Sequence, residues 1–284
     1  MSPGPLAIPS VIAALIVAAV ISPAVTAREQ RPAVVRASTG EFVWHDLVTP
    51  NPSTARTFYG ALFGWTFEEG SGVDPGYTII RQGGVPVGGI VRPRQENVVA
   101  QWLSYVTVEN VDRATKAFRA SGGTVYRGPL DARKDLRVAV VADAQGAALG
   151  LANRGPRIEE QGPPAVNRWL WIEYVARDPS PALTFFDEVL GFKNEISDKR
   201  EGFTYYLLST DRPRAGLFRT PWERETSAWL PYVRVEDPAA SAARAVQLGG
   251  QILLSPRAEV RNASLAIVLD PDGAAVALQR FPFK

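Results

Sequence analysis

Apolar and polar positions along the chain follow first a strand period and then a helix period. The stretch 42–48 (FVWHDLV) is rich in strand-forming residues and ends at the turn sequence Thr49-Pro50-Asn51-Pro52. Between Ala55 and Phe63, apolar residues recur every three or four positions, which predicts a helix that Gly64 ends. The pattern then predicts three strands, over 66–69, 77–82 and 85–91, so the first unit is β-α-β-β-β.

A second unit follows with the same order of elements. It consists of a strand over 102–108, a helix over 112–121, and three strands over 124–126, 136–141 and 147–152. The stretch 155–167 (GPRIEEQGPPAVN) has the Pro and Gly content of a linker. The chain beyond this linker repeats both units of the first half.

The second half repeats the first at one fixed spacing, since Trp44 recurs as Trp171 and Trp102 recurs as Trp229. A shorter spacing relates the two units within each half, and it is the same from Trp44 to Trp102 as from Trp171 to Trp229. The chain is therefore predicted to be an α+β protein with four copies of one unit, arranged as two tandem domains. The predicted boundaries are a leader over 28–40, a first domain over 41–154 and a second domain over 168–284.

Composition narrows the possible chemistry. The chain has no cysteine, which excludes disulfides, thiolate zinc sites and cysteine nucleophiles, and His45 is its one histidine. The net charge is +2 and comes from scattered Lys and Arg rather than from a basic run. We therefore expect no nucleic-acid partner.

The N-terminus predicts export. Residues 11–21 (VIAALIVAAVI) form an uninterrupted apolar run, and Pro23 and the small residues Val25 and Ala27 follow it. This order is typical of a bacterial signal peptide over 1–27, which would release the protein to the periplasm or the medium. The alternative is an uncleaved membrane anchor over residues 5–25, although the run is shorter than a comfortable membrane span. In either case, any membrane contact is expected only through this segment.

Several motifs recur within the repeated units. They are FYGALFGW (Phe58–Trp65), its echo FFDEVLGF (Phe185–Phe192), WLSYVTVENVD (Trp102–Asp112), WLPYVRVEDP (Trp229–Pro238) and DPDGAAVAL (Asp270–Leu278). Together with the order of elements, they resemble the vicinal oxygen chelate superfamily, which includes glyoxalase I, bleomycin-resistance proteins and extradiol dioxygenases. The resemblance covers about 41–284 and is strongest to the tandem two-domain, hydroxylase-like branch. It implies four βαβββ modules, paired into two glyoxalase-like domains.

The resemblance also implies a divalent metal in the cup of each domain, held by His and Glu from the first and last strand of each module. Trp44 falls at the first-strand ligand position, and the closing strands 85–91 and 147–152 contain no Asp, Glu or His. We therefore expect a degenerate metal site and no resident cofactor. His45 is the one candidate ligand, but strand alternation turns it away from the face of Trp44 and Asp46 unless the register slips.

Aromatic and acidic residues take the predicted inner faces of the cups. They predict a pocket that holds a flat or cationic small molecule without metal, by stacking and cation–π contact. The alternatives are that the tryptophans fill each cup as core in a protein-interaction scaffold, or that the protein is a metal-dependent lyase or dioxygenase. No catalytic residue is assigned, and the oligomeric state stays open. The candidate ligand-binding residues are Trp44, Asp46, Trp102, Ser104, Trp171, Glu173 and Trp229.

Overall fold

The computed structural model describes residues 38–70, 76–94, 98–155, 163–222 and 226–282. The predicted signal peptide, the leader up to residue 37 and residues 156–162 of the linker predicted over 155–167 lie outside these ranges. Within them, no helix has the length and apolar character to cross a membrane.

The first half forms two consecutive β-α-β-β-β modules, as the sequence pattern predicts. Its helices are α1 (Pro52–Phe63) and α2 (Val111–Ala120). Gly64 ends α1 in the left-handed conformation, with φ of 67°, which an L side chain adopts only with strain. The strands are β1 (Phe42–Val48), β2 (Thr66–Glu69), β3 (Thr78–Gln82), β4 (Val85–Val91), β5 (Gln101–Thr107), β6 (Thr124–Arg133), β7 (Leu136–Ala142) and β8 (Ala148–Ala152).

The second half repeats this order. Its helices are α3 (Pro179–Leu190) and α4 (Pro238–Gln247), and a short 3-10 turn (Arg261–Ala263) precedes its last hairpin. The strands are β9 (Trp169–Ala176), β10 (Lys193–Arg200), β11 (Phe203–Ser209), β12 (Pro213–Arg219), β13 (Ala228–Arg234), β14 (Gln251–Leu254), β15 (Leu265–Leu269) and β16 (Ala275–Gln279).

Each half builds one mixed, eight-stranded sheet, and the two sheets have the same topology. The first has the order β2-β3-β4-β1-β5-β8-β7-β6, and the second has the order β10-β11-β12-β9-β13-β16-β15-β14. In each sheet the two modules join through an antiparallel pair of first strands, β1 with β5 and β9 with β13. The predicted α+β class, with paired modules in two tandem domains, is confirmed.

One element is longer than the sequence pattern predicts. The expected strand over 124–126 continues to Arg133 as β6, and its pairing with β7 shifts register three times. These irregularities break the two-residue alternation of side chains, so the pattern ends before the strand does.

The helix-bearing faces of the two sheets pack against each other and form shared cores. In one core, Phe118 of α2 packs edge-on against Phe185 of α3, with ring centroids 5.2 Å apart. In the other, Phe58 and Tyr59 of α1 pack with Ala242 of α4. Because both cores contain residues of both halves, the opposite, concave sheet faces are left to form two separate cups.

An aspartate in the last hairpin of each half joins the two halves. One Asp270 oxygen accepts from the backbone N–H groups of Asp272 and Ala274, and the other accepts from the hydroxyl of Tyr59 at 3.1 Å. Tyr59 in turn accepts from the indole N–H of Trp102 at 3.0 Å. Asp143, the equivalent of Asp270, has the same arrangement but binds the hydroxyl of Tyr174.

Removing the Tyr59 hydroxyl is expected to destabilise the protein. In Tyr59→Phe, the buried Trp102 N–H and one Asp270 oxygen lose their partner, which we expect to lower the free energy of unfolding by about 2 kcal/mol. The ring itself fits, because Phe186 occupies the equivalent position in the second half and packs against Trp229. Urea unfolding measures the change. Tyr206→Phe, which removes a half-buried hydroxyl from β11, is the control, and an equal loss in both variants would contradict the prediction.

Candidate functional site

The inner face of the first cup is set by the register between β1 and β5. Trp44 lies opposite Tyr105, and Asp46 lies opposite Leu103, so these four side chains share the concave face. Trp102 and Ser104 lie on the other face, against the helices. The predicted inner-face positions of Trp102 and Ser104 are therefore wrong.

A one-residue difference explains this error. The repeat within the first half aligns Trp44 with Trp102, but in strand position Trp44 matches Leu103, which is the next residue along the chain. A slip of one residue moves every side chain of a strand to the opposite face. The same difference moves Trp229 to the helix side, where it packs on Tyr174, while Leu230 and Tyr232 face the second cup.

His45 lies on the helix side of β1. Its Nδ1 is 2.8 Å from the Ser104 hydroxyl, and its ring lies 4.3 Å from that of Trp169. Burial lowers the pKa of His45 to about 3, so the imidazole is neutral at physiological pH. The side chain is thus part of the shared core and points away from the cup.

The first cup holds a buried carboxylate among aromatic side chains. Asp46 Oδ1 accepts from the indole N–H of Trp44 at 2.8 Å and from the hydroxyl of Tyr77 at 2.9 Å. Gly89 of β4 lies beside this group, and a Cβ at that position would overlap the Tyr77 hydroxyl oxygen. The tyrosine hydroxyl therefore occupies the space into which a side chain at position 89 would project.

Burial raises the pKa of Asp46 to about 7, and hydrogen bonds from Tyr77, Trp44 and Tyr105 oppose this shift. Apolar side chains of the cup, among them Val138 and Leu136, surround the cluster and are fully buried. The first cup is therefore filled by its own side chains.

The second cup repeats the arrangement and adds a cation. Glu173 accepts from the hydroxyls of Tyr205, at 2.6 Å, and of Tyr232. Arg261 donates to the same carboxylate, and its guanidinium lies over the rings of Tyr205 and Tyr232 at 5.7 and 5.4 Å. Trp171 donates its indole N–H to the Tyr205 hydroxyl at 3.2 Å. The carboxylate of the second cup is thus neutralised by a cation.

Aromatic rings along β11 and β12 form one wall of the second cup. Phe203, Tyr205 and Phe218 lie with ring centroids 6.0 to 6.5 Å apart and are half-buried. In the first cup, Val91 stands at the position of Phe218, so this pair of rings has no counterpart there. This half-buried wall, here called the aromatic ladder, is therefore specific to the second cup.

The donor set of neither cup fits a divalent metal. Among the described residues, each cluster has one buried carboxylate; the Trp44 indole and the Tyr77 hydroxyl donate to Asp46, and tyrosine hydroxyls and Arg261 donate to Glu173. Gly216 repeats the role of Gly89, since a Cβ there would overlap the Tyr205 hydroxyl oxygen. Within the described ranges, no three His, Cys, Asp or Glu side chains are grouped closely enough to hold a metal ion.

Sequence reasoning missed the tyrosines and the arginine of these clusters. Tyr105 and Tyr232 have the spacing that relates the two halves, as do Gly89 and Gly216, so the repeat carried a signal for both pairs. Arg261 had no such signal, because it lies in the 3-10 turn and reaches Glu173 only through tertiary folding.

Stability should depend on pH through Asp46. A raised pKa means that the folded state favours the protonated carboxyl of Asp46. The stability that this proton gives to the folded protein is therefore fully present below about pH 4 and is lost as the pH rises through about 7. Asp46→Asn cannot ionise. Between pH 5 and pH 8, its stability should rise relative to the wild type by on the order of 2 kcal/mol, measured as thermal unfolding at each pH.

Glu173→Gln is the matched control in the second cup. This substitution leaves Arg261 without its ionic partner, so we expect lower stability at both pH 5 and pH 8. If the difference in stability between Asp46→Asn and the wild type stayed constant across this pH range, the raised pKa of Asp46 would be contradicted.

The chain resembles proteins of two kinds. No family model matches it. It is 27% identical over 237 residues to a putative glyoxylase, CFP32, of Mycobacterium tuberculosis, covering 81% of this chain and 91% of that protein. It is 29% identical over 266 residues to the anthracycline biosynthesis protein DauV of Streptomyces sp. strain C5, covering 86% of this chain and 94% of that protein.

Solved structures share the fold at lower identity. Homoprotocatechuate 2,3-dioxygenase from Arthrobacter globiformis has a TM-score of 0.59 at 16% identity, over 88% of this chain and 82% of that one. The Mn(II)-bound glyoxalase from Novosphingobium aromaticivorans has a TM-score of 0.58 at 14% identity, over 85% and 82%. With its four paired βαβββ modules, the chain has the tandem two-domain fold of these glyoxalase and dioxygenase structures, and it resembles the vicinal oxygen chelate superfamily.

Proposed function

We propose that this protein is exported and binds a small planar aromatic molecule in its second cup, without a metal. The observation that carries the proposal is the combination of the half-buried aromatic ladder with the Glu173–Arg261 pair. The ladder offers ring faces for stacking, and the guanidinium offers donors to oxygen substituents on the ligand.

The charge balance selects the ligand class. An unpaired carboxylate in an aromatic pocket would favour a cation, but Arg261 already neutralises Glu173. The side chain of Arg261 is 25% exposed, so part of it faces solvent. A flat ring with hydroxyl, carbonyl or carboxylate oxygens therefore matches this cup better than a cationic ligand.

The names of the relatives agree with this class in part. Two relatives are named for anthracycline biosynthesis, and anthracyclines are planar aromatic compounds that carry oxygen substituents. The first cup, which is filled by its own side chains, has a structural role in this proposal.

A metal-dependent lyase or dioxygenase is the second candidate, because a structural neighbour is a Mn(II)-bound glyoxalase and others are dioxygenases. A protein-interaction scaffold is the third candidate, because the first cup is filled by its own side chains. The binding experiment below separates these three functions.

Calorimetric titration of the mature chain with 2-naphthoate in the presence of EDTA tests metal-free binding. We expect one saturable site. Phe203→Ala removes a ring face for stacking, and Arg261→Gln removes the guanidinium that donates hydrogen bonds to oxygens of the ligand, so each should weaken binding about tenfold. Cyclohexanecarboxylate, which has the charge but no flat ring, should bind at least tenfold more weakly. Trp44→Phe changes only the first cup and is the control variant.

Metal analysis after dialysis against Mn²⁺, Zn²⁺ and Fe²⁺ completes the test. Stoichiometric metal, together with naphthoate binding that requires it, would replace the proposal with the enzyme hypothesis. No naphthoate binding with or without metal would favour the scaffold.

Export predicts a defined mature N-terminus. Expression of the full chain in a bacterium should yield protein in the periplasm or the medium whose sequence starts at Arg28, because Val25 and Ala27 suit signal peptidase. N-terminal sequencing checks this expectation. A membrane-bound product that retains Met1 would instead support the anchor over residues 5–25.

A further inference from the structure

A cavity of about 200 Å³ lies where the two halves meet, away from the aromatic ladder. Its lining includes the same positions of both halves, such as Trp102 with its repeat partner Trp229 and Ala148 with its repeat partner Ala275. The cavity therefore lies at the local symmetry axis of the repeat. Its outline is asymmetric, because Leu230 and other inner residues of the second cup extend it toward β13, β15 and β16.

The position separates this cavity from the ligand site proposed above. The ladder belongs to β11 and β12, whereas the cavity is lined mainly by β5 and β8 of the first half and by β13, β15 and β16 of the second, with Val175 of β9. Among the described residues, Glu173, Arg261 and the rings of the ladder are not part of the lining. The two sites therefore have none of these residues in common.

The lining determines which ligands fit. It is mainly apolar, and three tryptophans, Trp102, Trp222 and Trp229, contribute to it. Gln101, Tyr126 and Thr226 supply polar groups, and no lining residue within the described ranges is charged. An ionised ligand would lose its hydration here and would meet no counter-charge among these described lining residues, so they favour a neutral molecule.

The volume limits the size of the ligand. A dry protein cavity of roughly 150 Å³ accommodates benzene, and sites for drug-sized ligands start at about 300 Å³. We propose that this junction cavity is a second binding site, for a neutral aromatic molecule of one or two rings. Because residues of both halves line the cavity, its ligand contacts both domains at once.

Benzamide and benzoate form a matched pair of probes, since they have the same ring and nearly the same shape but differ in charge. Calorimetric titration and ligand-observed NMR on the mature chain should show one benzamide site with a Kd on the order of 1 mM. Benzoate should bind this site at least tenfold more weakly. Ala275→Leu places a larger side chain in the cavity and should weaken benzamide binding at least tenfold, with the fold checked by circular dichroism.

Ala148→Leu fills the cavity from the equivalent position of the first half, and it replaces Ala275→Leu in this test if that variant does not fold. Arg261→Gln should leave benzamide affinity unchanged within twofold, which separates this site from the ladder. Failure of the naphthoate experiment leaves this test intact, because the two probes report sites that are built from different residues. The proposal is overturned by the absence of saturable benzamide binding, by equal affinity for benzoate, or by unchanged binding in the cavity-filling variant.

Discussion

The architecture depends on the burial of the two helix-bearing sheet faces against each other. Asp143 and Asp270 reinforce this contact, because each closes the last hairpin of its own half and accepts a tyrosine hydroxyl from the other half. An aspartate buried in this way is costly unless its oxygens are hydrogen-bonded, and burial raises the pKa of Asp270 to about 6. The shared cores thus fix how the halves meet and direct both cups outward.

The two cups show how one arrangement diverges after duplication. Both contain a carboxylate on the first strand, a tyrosine whose hydroxyl lies beside a glycine of the closing strand, and a tryptophan two residues before the carboxylate. The first cup buries Asp46 among apolar side chains, and its pKa rises to about 7. The second cup pairs Glu173 with Arg261 and keeps half-buried rings at its wall. One cup is therefore core, and the other keeps partly exposed aromatic rings beside a neutralised carboxylate.

Gly89 and Gly216 explain why the family's metal does not fit these cups. In the superfamily, the closing strand contributes a ligand side chain, but here the closing strand has a glycine beside each carboxylate. The hydroxyls of Tyr77 and Tyr205 occupy the space that a side chain would need. Hydrogen-bond donors of the protein then bind the carboxylate. A ligand side chain on the closing strand would require a change at the glycine and at the tyrosine together.

The sequence alone determined the repeat and the order of elements, because hydrophobic period and turn residues are local properties that each module carries in full. Its motifs also showed the resemblance to the superfamily. The sequence also placed Trp44, Asp46, Trp171 and Glu173 on the first strands of the modules. The faces of β5 and β13 were decided by tertiary structure, since a difference of one residue in the pairing of strands moved Trp102, Ser104 and Trp229 to the helix side. Arg261, the ladder and the junction cavity arise from contacts between segments far apart in the chain, and such contacts leave no local pattern.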